Sequence, residues 1–397
     1  MIYPSVIVSE QGQEFLEKGQ MWMYRNNLLS ADENAKDGEP VSVFSEDGKF
    51  IASGFYSEVS HVAVRILTRN EADTIDRAFF EKRIHDAVSF RRVVERENMT
   101  CARMIFSEAD LLPGLIADRY NDILVTQISC TGFEKRKDMI YELLKEEFSQ
   151  EEIPVRYIYE RNDIAPRLKE GLEQYQGFHG EEGIAKTVIS ENGLKLNVDI
   201  ENGQKTGYFL DQKSNRVLIR SLSKGLRVLD CFTHTGGFAL NAALGGAKEV
   251  TAVDVSQTAL DQGLENAKLN HLEGRMKFVQ ADVFEYLDEI QPDQFDLIIL
   301  DPPAFTKSRK TVMKAYNGYK RINRRAMEVL KGGGYLATCS CSRYMETDLF
   351  EKMLKEAAAE AGVILRQVSV TQQNADHPIL WIMDETSYLK FYIFQIV

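Results

Sequence analysis

Short apolar runs alternate with longer amphipathic segments through the second half of the chain. Five apolar runs predict strands at 228–230, 249–253, 276–279, 295–300 and 333–339. Three segments with apolar residues three to four positions apart predict helices at 256–270, 311–330 and 345–361. The final apolar segments, 363–370 and 389–397, predict a closing antiparallel pair. This order predicts an α/β fold, a doubly wound Rossmann-like sheet of about seven strands with helices on both faces.

The first 185 residues follow a different pattern. Strand patterns separated by turns at 5–8, 40–44, 51–56 and 62–67 predict a small β-barrel in residues 1–70. Residues 71–185 mix helical patterns at 75–97 and 134–148 with strands at 104–107, 115–119, 123–128 and near 155–159, which predicts an α+β domain. A hairpin from 185–189 to 194–200 then opens the α/β domain, residues 186–397.

Acidic residues close the first strands of the α/β domain. Asp230 ends the first strand before a loop with Phe232, Thr233, Gly236 and Gly237, and Asp254 and Asp282 follow the next two strands. The loop lacks the G-x-G-x-x-G fingerprint, which argues against NAD or FAD. It resembles motif I of the class I S-adenosylmethionine methyltransferases. That resemblance implies that Asp230 faces the methionine end, Asp254 the ribose and Asp282 the adenine. The alternative is that these acids are helix caps.

Two further motifs follow buried strands. Asp301-Pro302-Pro303 is a rigid turn that presents a carboxylate and a carbonyl to a planar substrate edge, with Phe305 available to stack. Related turns serve methyltransferases that act on exocyclic amino groups, but the tripeptide also suits a stiff connection. Cys341 ends the next strand, which we expect beside the strand of Asp301.

A cysteine at that place suits one particular reaction. Carbon 5 of cytosine does not attack a sulfonium methyl unaided, whereas a thiolate added at carbon 6 makes it nucleophilic. Asp301 would then bind the N3/N4 edge of the base and favour its protonation. Cys339 lies deeper on the same strand face and is interpreted as packing. The alternative for Cys341 is a small buried hydrophobe.

The motifs together carry a family resemblance. They are T-G-Y-F-L-D-Q at 206–212, D-C-F-T-H-T-G-G-F at 230–238, L-D-P-P-A-F at 300–305, S-C-S at 340–342 and A-D-H-P at 375–378. The combination, which spans nearly the whole chain, is similar to the bacterial large-subunit rRNA cytosine-C5 methyltransferases. The resemblance implies that Asp211, Gln212 and Asp301 border S-adenosylmethionine and that Cys341 is the nucleophile. Ala304 replaces an expected lysine, and Arg343 an expected small residue, both on the substrate side.

The N-terminal segments also resemble parts of that family. Residues 1–70, with the Trp22-Met23-Tyr24 group, resemble a PUA domain, an RNA-binding module, and residues 71–185 resemble the family's linking domain. The net charge of −12 is unusual for a protein that binds 23S rRNA. The excess acid lies before residue 186, because residues 186–397 contain 26 basic and 26 acidic residues.

Basic residues cluster after the Asp-Pro-Pro turn. They are Lys307, Arg309, Lys310, Lys314, Lys320, Arg321, Arg324, Arg325 and Lys331, with only Glu328 opposing them in this stretch. Lys320, Arg321, Arg324 and Arg325 fall on one helical face. We expect Lys307 and the three arginines to bind RNA phosphates, together with Pro302, Pro303 and Phe305 at the base. A solvated helix face is the alternative.

The remaining features restrict the class of protein. The five cysteines include no CxxC pair, which argues against a zinc site and against disulfides. There is no apolar run of about 18 residues and no secretory N-terminus, so we expect a soluble cytoplasmic protein without a membrane partner. A homodimer is compatible with the sequence. Two alternatives to cytosine-C5 methylation stay open: exocyclic-amino methylation, and a non-catalytic RNA-binding assembly factor.

Overall fold

The computed structural model describes residues 3–306, 308–330 and 332–397. The chain forms two compact units. The first unit contains the chain up to residue 189 together with 198–210 and 375–386. The second contains 190–197, 211–374 and 387–397. The three-domain division at residues 70 and 185 stays a prediction.

The first unit begins with a six-stranded sheet of order β2-β6-β5-β4-β1-β3. Its strands are β1 (Ser5–Val8), β2 (Trp22–Tyr24), β3 (Leu28–Ala31), β4 (Pro40–Phe44), β5 (Phe50–Tyr56) and β6 (Val62–Thr68). Helix α1 (Glu10–Glu17) begins at Ser9, whose hydroxyl accepts a hydrogen bond from the Gly12 amide. The four predicted strands of this region are all present.

A five-stranded sheet of order β11-β10-β9-β8-β7 follows in the same unit. The strands are β7 (Cys101–Phe106), β8 (Leu115–Tyr120), β9 (Ile123–Ile128), β10 (Tyr157–Arg161) and β11 (Gln176–Phe178). The helices are α2 (Arg77–Val94), α3 (Thr131–Glu134), α4 (Lys137–Glu147) and α5 (Ala165–Lys169). The helix predicted at 134–148 is α4, which begins three residues later, and the short α3 precedes it. The strand predicted near 155–159 also begins two residues later, as β10.

Close aromatic packing joins the two sheets of the first unit. The ring of Phe55 in β5 stacks on Phe80 of α2 at 6.1 Å and meets Phe133 of α3 edge-on at 5.4 Å. A Cβ atom on Gly132 would lie 2.2 Å from the Phe55 ring, so only glycine fits there. The apolar cores of the two sheets are thus continuous at this point.

The hairpin β12 (Lys186–Glu191) and β13 (Leu194–Asp199) forms a separate two-stranded sheet. Its tip, residues 190–197, belongs to the second unit. There the buried carboxylate of Glu191 pairs with the Arg216 guanidinium at 2.6 Å. Asn266 Oδ1 also accepts a hydrogen bond from the Asn197 amide at 2.8 Å.

The second unit is built on a seven-stranded sheet of order β16-β15-β14-β17-β18-β20-β19. The strands are β14 (Arg227–Cys231), β15 (Glu249–Asp254), β16 (Met276–Gln280), β17 (Leu297–Leu300), β18 (Tyr335–Ser340), β19 (Leu365–Thr371) and β20 (Lys390–Ile396). The first five are parallel, and β20 pairs antiparallel with both β18 and β19. This confirms the doubly wound fold with a closing antiparallel pair.

Helices cover both faces of this sheet. They are α6 (Lys213–Leu222), α7 (Gly237–Leu244), α8 (Gln257–Leu269), α9 (Val283–Glu289), α10 (Val312–Val329) and α11 (Thr347–Ala361). The alanine-rich α7 packs in one core cluster with the side chains of one sheet face. Helices α9, α10 and α11 pack in another with the side chains of the opposite face. The apolar strands are therefore buried on both sides, as their sequence predicts. Within the described ranges, the helices are too short or too polar to cross a bilayer.

A buried charge network closes the first unit. Arg91 of α2 is fully buried, and its Nη2 donates to Asp110 Oδ2 at 2.7 Å and to the Asp376 carbonyl at 2.9 Å. The Asp376 carboxylate accepts a hydrogen bond from the Arg103 amide at 3.0 Å, and His377 Nδ1 lies 2.7 Å from its other oxygen. In this unit the Asp-His-Pro motif, whose role the sequence leaves open, anchors the segment 375–386 to α2 and β7.

We predict that Arg91→Ala destabilises the first unit by about 3–5 kcal/mol, because it leaves the Asp110 carboxylate without its buried partner. Denaturant unfolding measures the change. Arg77→Ala on the same helix is the control, since its ion pairs with Glu142 and Glu146 are exposed and should contribute little. Equal effects of the two substitutions would contradict a stabilising role for the buried network.

Candidate active site

The carboxyl ends of the parallel strands in the second unit meet at one edge of the sheet. The strand order reverses between β14 and β17, which are direct neighbours. In doubly wound folds a ligand binds where the order reverses, outside the carboxyl ends of the strands. The loops after β14 and β17 carry the residues that the sequence assigned to the cofactor and the base.

The loop after β14 has an unusual backbone. Phe232, His234 and Gly236 have φ values of 62°, 51° and 85°, in the left-handed region. Residues other than glycine rarely adopt that backbone conformation unless the surrounding structure enforces it. Here the His234 amide donates to Asp254 Oδ2 at 2.9 Å, and the Thr233 amide donates to the Val253 carbonyl at 3.1 Å. The second strand end therefore fixes the shape of the first loop.

Asp230 is buried beneath this loop. Its Oδ2 accepts hydrogen bonds from Thr233 Oγ1 at 2.6 Å and from the Ala239 amide at 2.9 Å. Its Oδ1 is buried and has no hydrogen-bond partner among the residues that the structure describes. Burial raises the pKa of Asp230 to about 7, and the nearby carboxylates Asp301 and Asp254 act in the same direction. A ligand with a positive charge would satisfy the second oxygen.

The other two acids accept hydrogen bonds from backbone amides at or just before the start of a helix. Asp254 Oδ1 accepts a hydrogen bond from the Ser256 amide at 2.9 Å, just before α8. Asp282 is exposed and caps α9 by accepting from the Phe284 amide at 2.8 Å. A carboxylate oxygen has a second lone pair, so these amide contacts leave each acid able to accept a further hydrogen bond.

The Asp301 carboxylate connects three segments of the second unit. Its Oδ1 accepts hydrogen bonds from Gln212 Nε2 at 3.2 Å and from Cys339 Sγ at 2.8 Å. Gln212 ends a short 3-10 turn before α6, and its own Oε1 accepts from Asn215 at 2.7 Å. The neighbouring Asp211 is buried, and its Oδ2 accepts from the Tyr388 hydroxyl at 2.7 Å.

The two cysteines of β18 and its end differ in environment. Strands β17 and β18 pair in parallel, with Leu300 opposite Thr338, so the ends of the two strands are adjacent as predicted. Cys339 is fully buried, and this burial raises the pKa of its thiol well above the ordinary value. The negative charge of Asp301 acts in the same direction. Cys341 is half-buried and more accessible, which a reagent or substrate requires.

A tyrosine holds the turn that carries Cys341. Ser340 Oγ donates to the Tyr319 hydroxyl at 3.0 Å, and the Ser342 hydroxyl lies 3.0 Å from the same oxygen. Burial raises the pKa of Tyr319 to about 12, so its hydroxyl stays protonated. The Tyr319 ring also packs at 4.6 Å on Phe305.

The Asp-Pro-Pro turn leads into an aromatic cluster. Pro302 is buried and Pro303 is exposed. The half-buried Phe305 ring contacts Phe232 at 6.3 Å and Phe284 at 5.9 Å, in addition to Tyr319. The structure thus brings Phe305, expected at the base, together with Phe232 from the loop after β14.

Helix α10 has the predicted apolar and basic faces, but three of the four residues on the basic face have partners from other elements. Arg321 pairs with Asp288 at 2.7 Å, and Lys320 pairs with Glu360 at 2.9 Å. Arg325 donates to the backbone carbonyls of Leu287, Asp288 and Ile290 at the end of α9. Arg324 is 43% exposed and lies 3.7 Å from Glu328. Lys307 and Lys331 lie outside the described residues.

Sequence reasoning missed Lys390, Tyr319 and Tyr388 at this edge. Tyr319 lies in α10, and Tyr388 precedes β20. Lys390 is the one charged residue in the largely apolar segment 389–397, a signal that a buried charge is present. The position of β20 next to β18, which only the fold provides, brings Lys390 close to Ser342.

Comparison with known proteins agrees with this geometry. Residues 175–394 match the family of S-adenosylmethionine-dependent methyltransferases, and residues 6–69 match a PUA-like domain. Ribosomal RNA large subunit methyltransferase I of Klebsiella pneumoniae is 39% identical over 98% of this chain and 97% of its own. The protein of that name from Aeromonas salmonicida is 41% identical over 93% of each chain.

Solved structures show the same fold. A SAM-dependent methyltransferase from Streptococcus mutans superimposes with a TM-score of 0.81 at 21% identity over the whole of both chains. A methyltransferase complexed with SAH gives a TM-score of 0.83 at 21% identity, also over both whole chains.

We predict that Asp230 makes the second unit less stable as the pH rises from about 4 to about 7. The folded carboxyl has a pKa near 7 and the unfolded one near 3.8, so the folded state binds the extra proton in that window and loses this advantage above it. In Asp230→Asn the denaturation midpoint should no longer fall with pH over this range. Each pKa unit of difference between the folded and unfolded states corresponds to about 1.4 kcal/mol of unfolding free energy. The exposed Asp261→Asn should retain this fall with pH, and a slope unchanged in Asp230→Asn would refute the assignment.

Proposed function

We propose that this chain, which belongs to the S-adenosylmethionine-dependent methyltransferase family, methylates carbon 5 of a cytosine in large-subunit ribosomal RNA. The relatives named above support ribosomal RNA as the substrate. The observation that carries the cytosine-C5 chemistry is the adjacency of two strand ends, one with Asp301 and the other with the accessible Cys341.

The residues around the first loop suit S-adenosylmethionine. The buried Asp230 Oδ1, which has no hydrogen-bond partner among the described residues, suits an ammonium group, and it lies beneath a loop with a strained backbone, a feature that clusters at ligand-binding sites. Asp254 would accept from ribose hydroxyls and Asp282 from the adenine amino group, while Asp211, Gln212, Thr233 and Gly237 border the site. When bound, S-adenosylmethionine supplies an electrophilic methyl group.

Cys341 makes carbon 5 of the base reactive. Its thiolate adds to carbon 6 of cytosine, which places electron density on carbon 5. After methylation, carbon 5 loses its proton to a base and the carbon–sulfur bond breaks, which regenerates the thiolate. The hydrogen bond that Ser340 donates to the Tyr319 hydroxyl, together with the one between that hydroxyl and Ser342, holds Cys341 in one position for this attack.

Asp301 orients the base. Gln212 and Cys339 both donate to its Oδ1, and these two hydrogen bonds fix the orientation of the carboxylate. From there it would bind the N3/N4 edge of cytosine, while Phe305 stacks on the ring and Pro303 contacts its rim. Cys339 is a positioning residue in this mechanism, because its buried thiol binds Asp301.

RNA phosphates would bind to the exposed cations. Arg321 and Arg324 are 54% and 43% exposed, so they can exchange their carboxylate partners for phosphate. Arg325 is less suited, because its guanidinium is occupied by three backbone carbonyls. The PUA-like domain would supply a second RNA-binding surface.

The cysteine chemistry predicts a covalent trap. RNA containing 5-fluorocytidine should form a stable complex with the protein, because fluorine cannot leave as a proton does. Cys341→Ala should abolish both the complex and methyl transfer, whereas Cys339→Ala should keep substantial activity, because Gln212 still donates to Asp301. Gel shift under denaturing conditions detects the adduct, and tritium transfer from labelled S-adenosylmethionine measures turnover.

Other outcomes identify the alternatives. An active Cys341→Ala enzyme without an adduct would replace the proposal with exocyclic-amino methylation at the Asp-Pro-Pro turn. A wild-type protein that transfers no methyl group to free rRNA or to assembled subunits would instead be a binding factor.

The basic helix gives a separate prediction. Replacing Arg321 and Arg324 with Ala should flatten the log–log dependence of RNA affinity on salt by about one unit for each phosphate that is no longer neutralised. Filter binding at several salt concentrations measures the slope. Lys355→Ala on α11, where the side chain is 79% exposed, controls for the removal of a surface charge. An unchanged slope would make α10 a solvated helix face.

A further inference from the structure

Lys390 is a buried cation at the edge of the sheet that carries Cys341. It opens β20 and pairs with Ser340, the last residue of β18. Only 8% of the residue is exposed, and its Nζ donates to the Ser342 carbonyl at 2.9 Å. Ser340 and Ser342 flank Cys341, so the ammonium group is bound to the turn that presents the thiol.

Burying the charge of a lysine costs free energy unless a nearby group of opposite charge compensates it. Among the residues that the structure describes, no carboxylate forms a salt bridge with Lys390, and its hydrogen-bond acceptor is a neutral carbonyl. Arg227 at the start of β14, by contrast, pairs with Asp296 at 2.7 Å. Lys390 is therefore not part of a structural ion pair of the kind that Arg227 forms.

The groups that interact with this charge come from three elements. They are Cys339 in β18, Cys341 in the turn that follows, and Glu346 before α11. Burial lowers the pKa of Lys390 to about 8, and these three groups oppose that effect. At neutral pH the ammonium form therefore predominates, and it is lost as the pH rises through about 8.

We propose that Lys390 is the positioning residue of Cys341, its ammonium group favouring the thiolate that attacks the base. This inference rests on the proposed function of Cys341 as nucleophile. A cation beside a thiol favours the thiolate, which is the reactive form. The thiol proton passes to solvent, Lys390 keeps its own proton, and no bond forms between nitrogen and sulfur.

The reactivity of Cys341 toward iodoacetamide tests this without RNA or cofactor. Because the other four cysteines are buried, mass spectrometry of the Cys341 peptide gives the alkylation rate at each pH. Lys390→Gln can retain a hydrogen bond to Ser342 but has no charge. It should slow alkylation at pH 7 about tenfold and raise the midpoint of the pH profile by about one unit. Lys390→Arg keeps the charge and should restore most of the rate.

Controls separate charge from structure. Lys355→Gln on α11 should alkylate like the wild type, and circular dichroism establishes that each variant is folded. A wild-type pH profile in Lys390→Gln would overturn the proposal, since a merely structural lysine predicts that result. If Lys390→Gln does not fold, the test rests on Lys390→Arg, which keeps the charge. Slowed alkylation of Cys341 in Lys390→Arg across the pH range would also overturn the proposal.

The result is distinguishable from failure of the proposed function. Absence of a 5-fluorocytidine adduct in the wild type would remove the cytosine chemistry, whereas the alkylation profile would still show whether Lys390 activates the thiol. An adduct together with unchanged alkylation in Lys390→Gln would keep the cytosine chemistry and remove the role of Lys390.

Discussion

The hydrogen bonds to the Asp301 carboxylate hold the candidate site together. Gln212 and Cys339 donate to the same oxygen from a turn and a strand that are more than a hundred residues apart in sequence. Asp301 is half-buried, so these donors replace water at its carboxylate and favour one register of the turn, β17 and β18. That register carries Cys341, two residues beyond Cys339, to the same edge of the sheet.

Several buried charges in both units occur as ion pairs. Arg103 pairs with Asp118 at 2.7 Å in the first unit, and Arg216 pairs with Glu191 at 2.6 Å in the second. Asp230 and Lys390 differ, since the hydrogen-bond partners that the structure gives them are neutral. Incompletely compensated buried charges concentrate at functional sites, because a ligand or a reacting group completes them. Both residues lie at the carboxyl edge of the parallel strands.

Most elements followed from sequence periodicity, and the exceptions have physical causes. Strand β9 and helices α8, α10 and α11 lie within two residues of their predicted bounds, because long periodic or apolar segments have a strong signal. The short helices α6 and α9 were not predicted. Helix α6 has only ten residues, and most of those it buries, such as Asn215 and Arg216, are polar, with partners that come from distant segments.

The sequence by itself determined the α/β fold, the acids at the strand ends, the Asp-Pro-Pro turn and the candidate nucleophile, because each depends on local pattern and on the rule that parallel strands end at one edge. Only the tertiary structure decided which charges are compensated. In the sequence around α10, Glu328 is the one acidic residue near the basic face. In the structure, Asp288 and Glu360 from other helices also form ion pairs with that face. The tertiary structure also decided that Lys390 lies beside the Cys341 turn, because strand order, which brings β20 next to β18, depends on packing between segments distant in sequence.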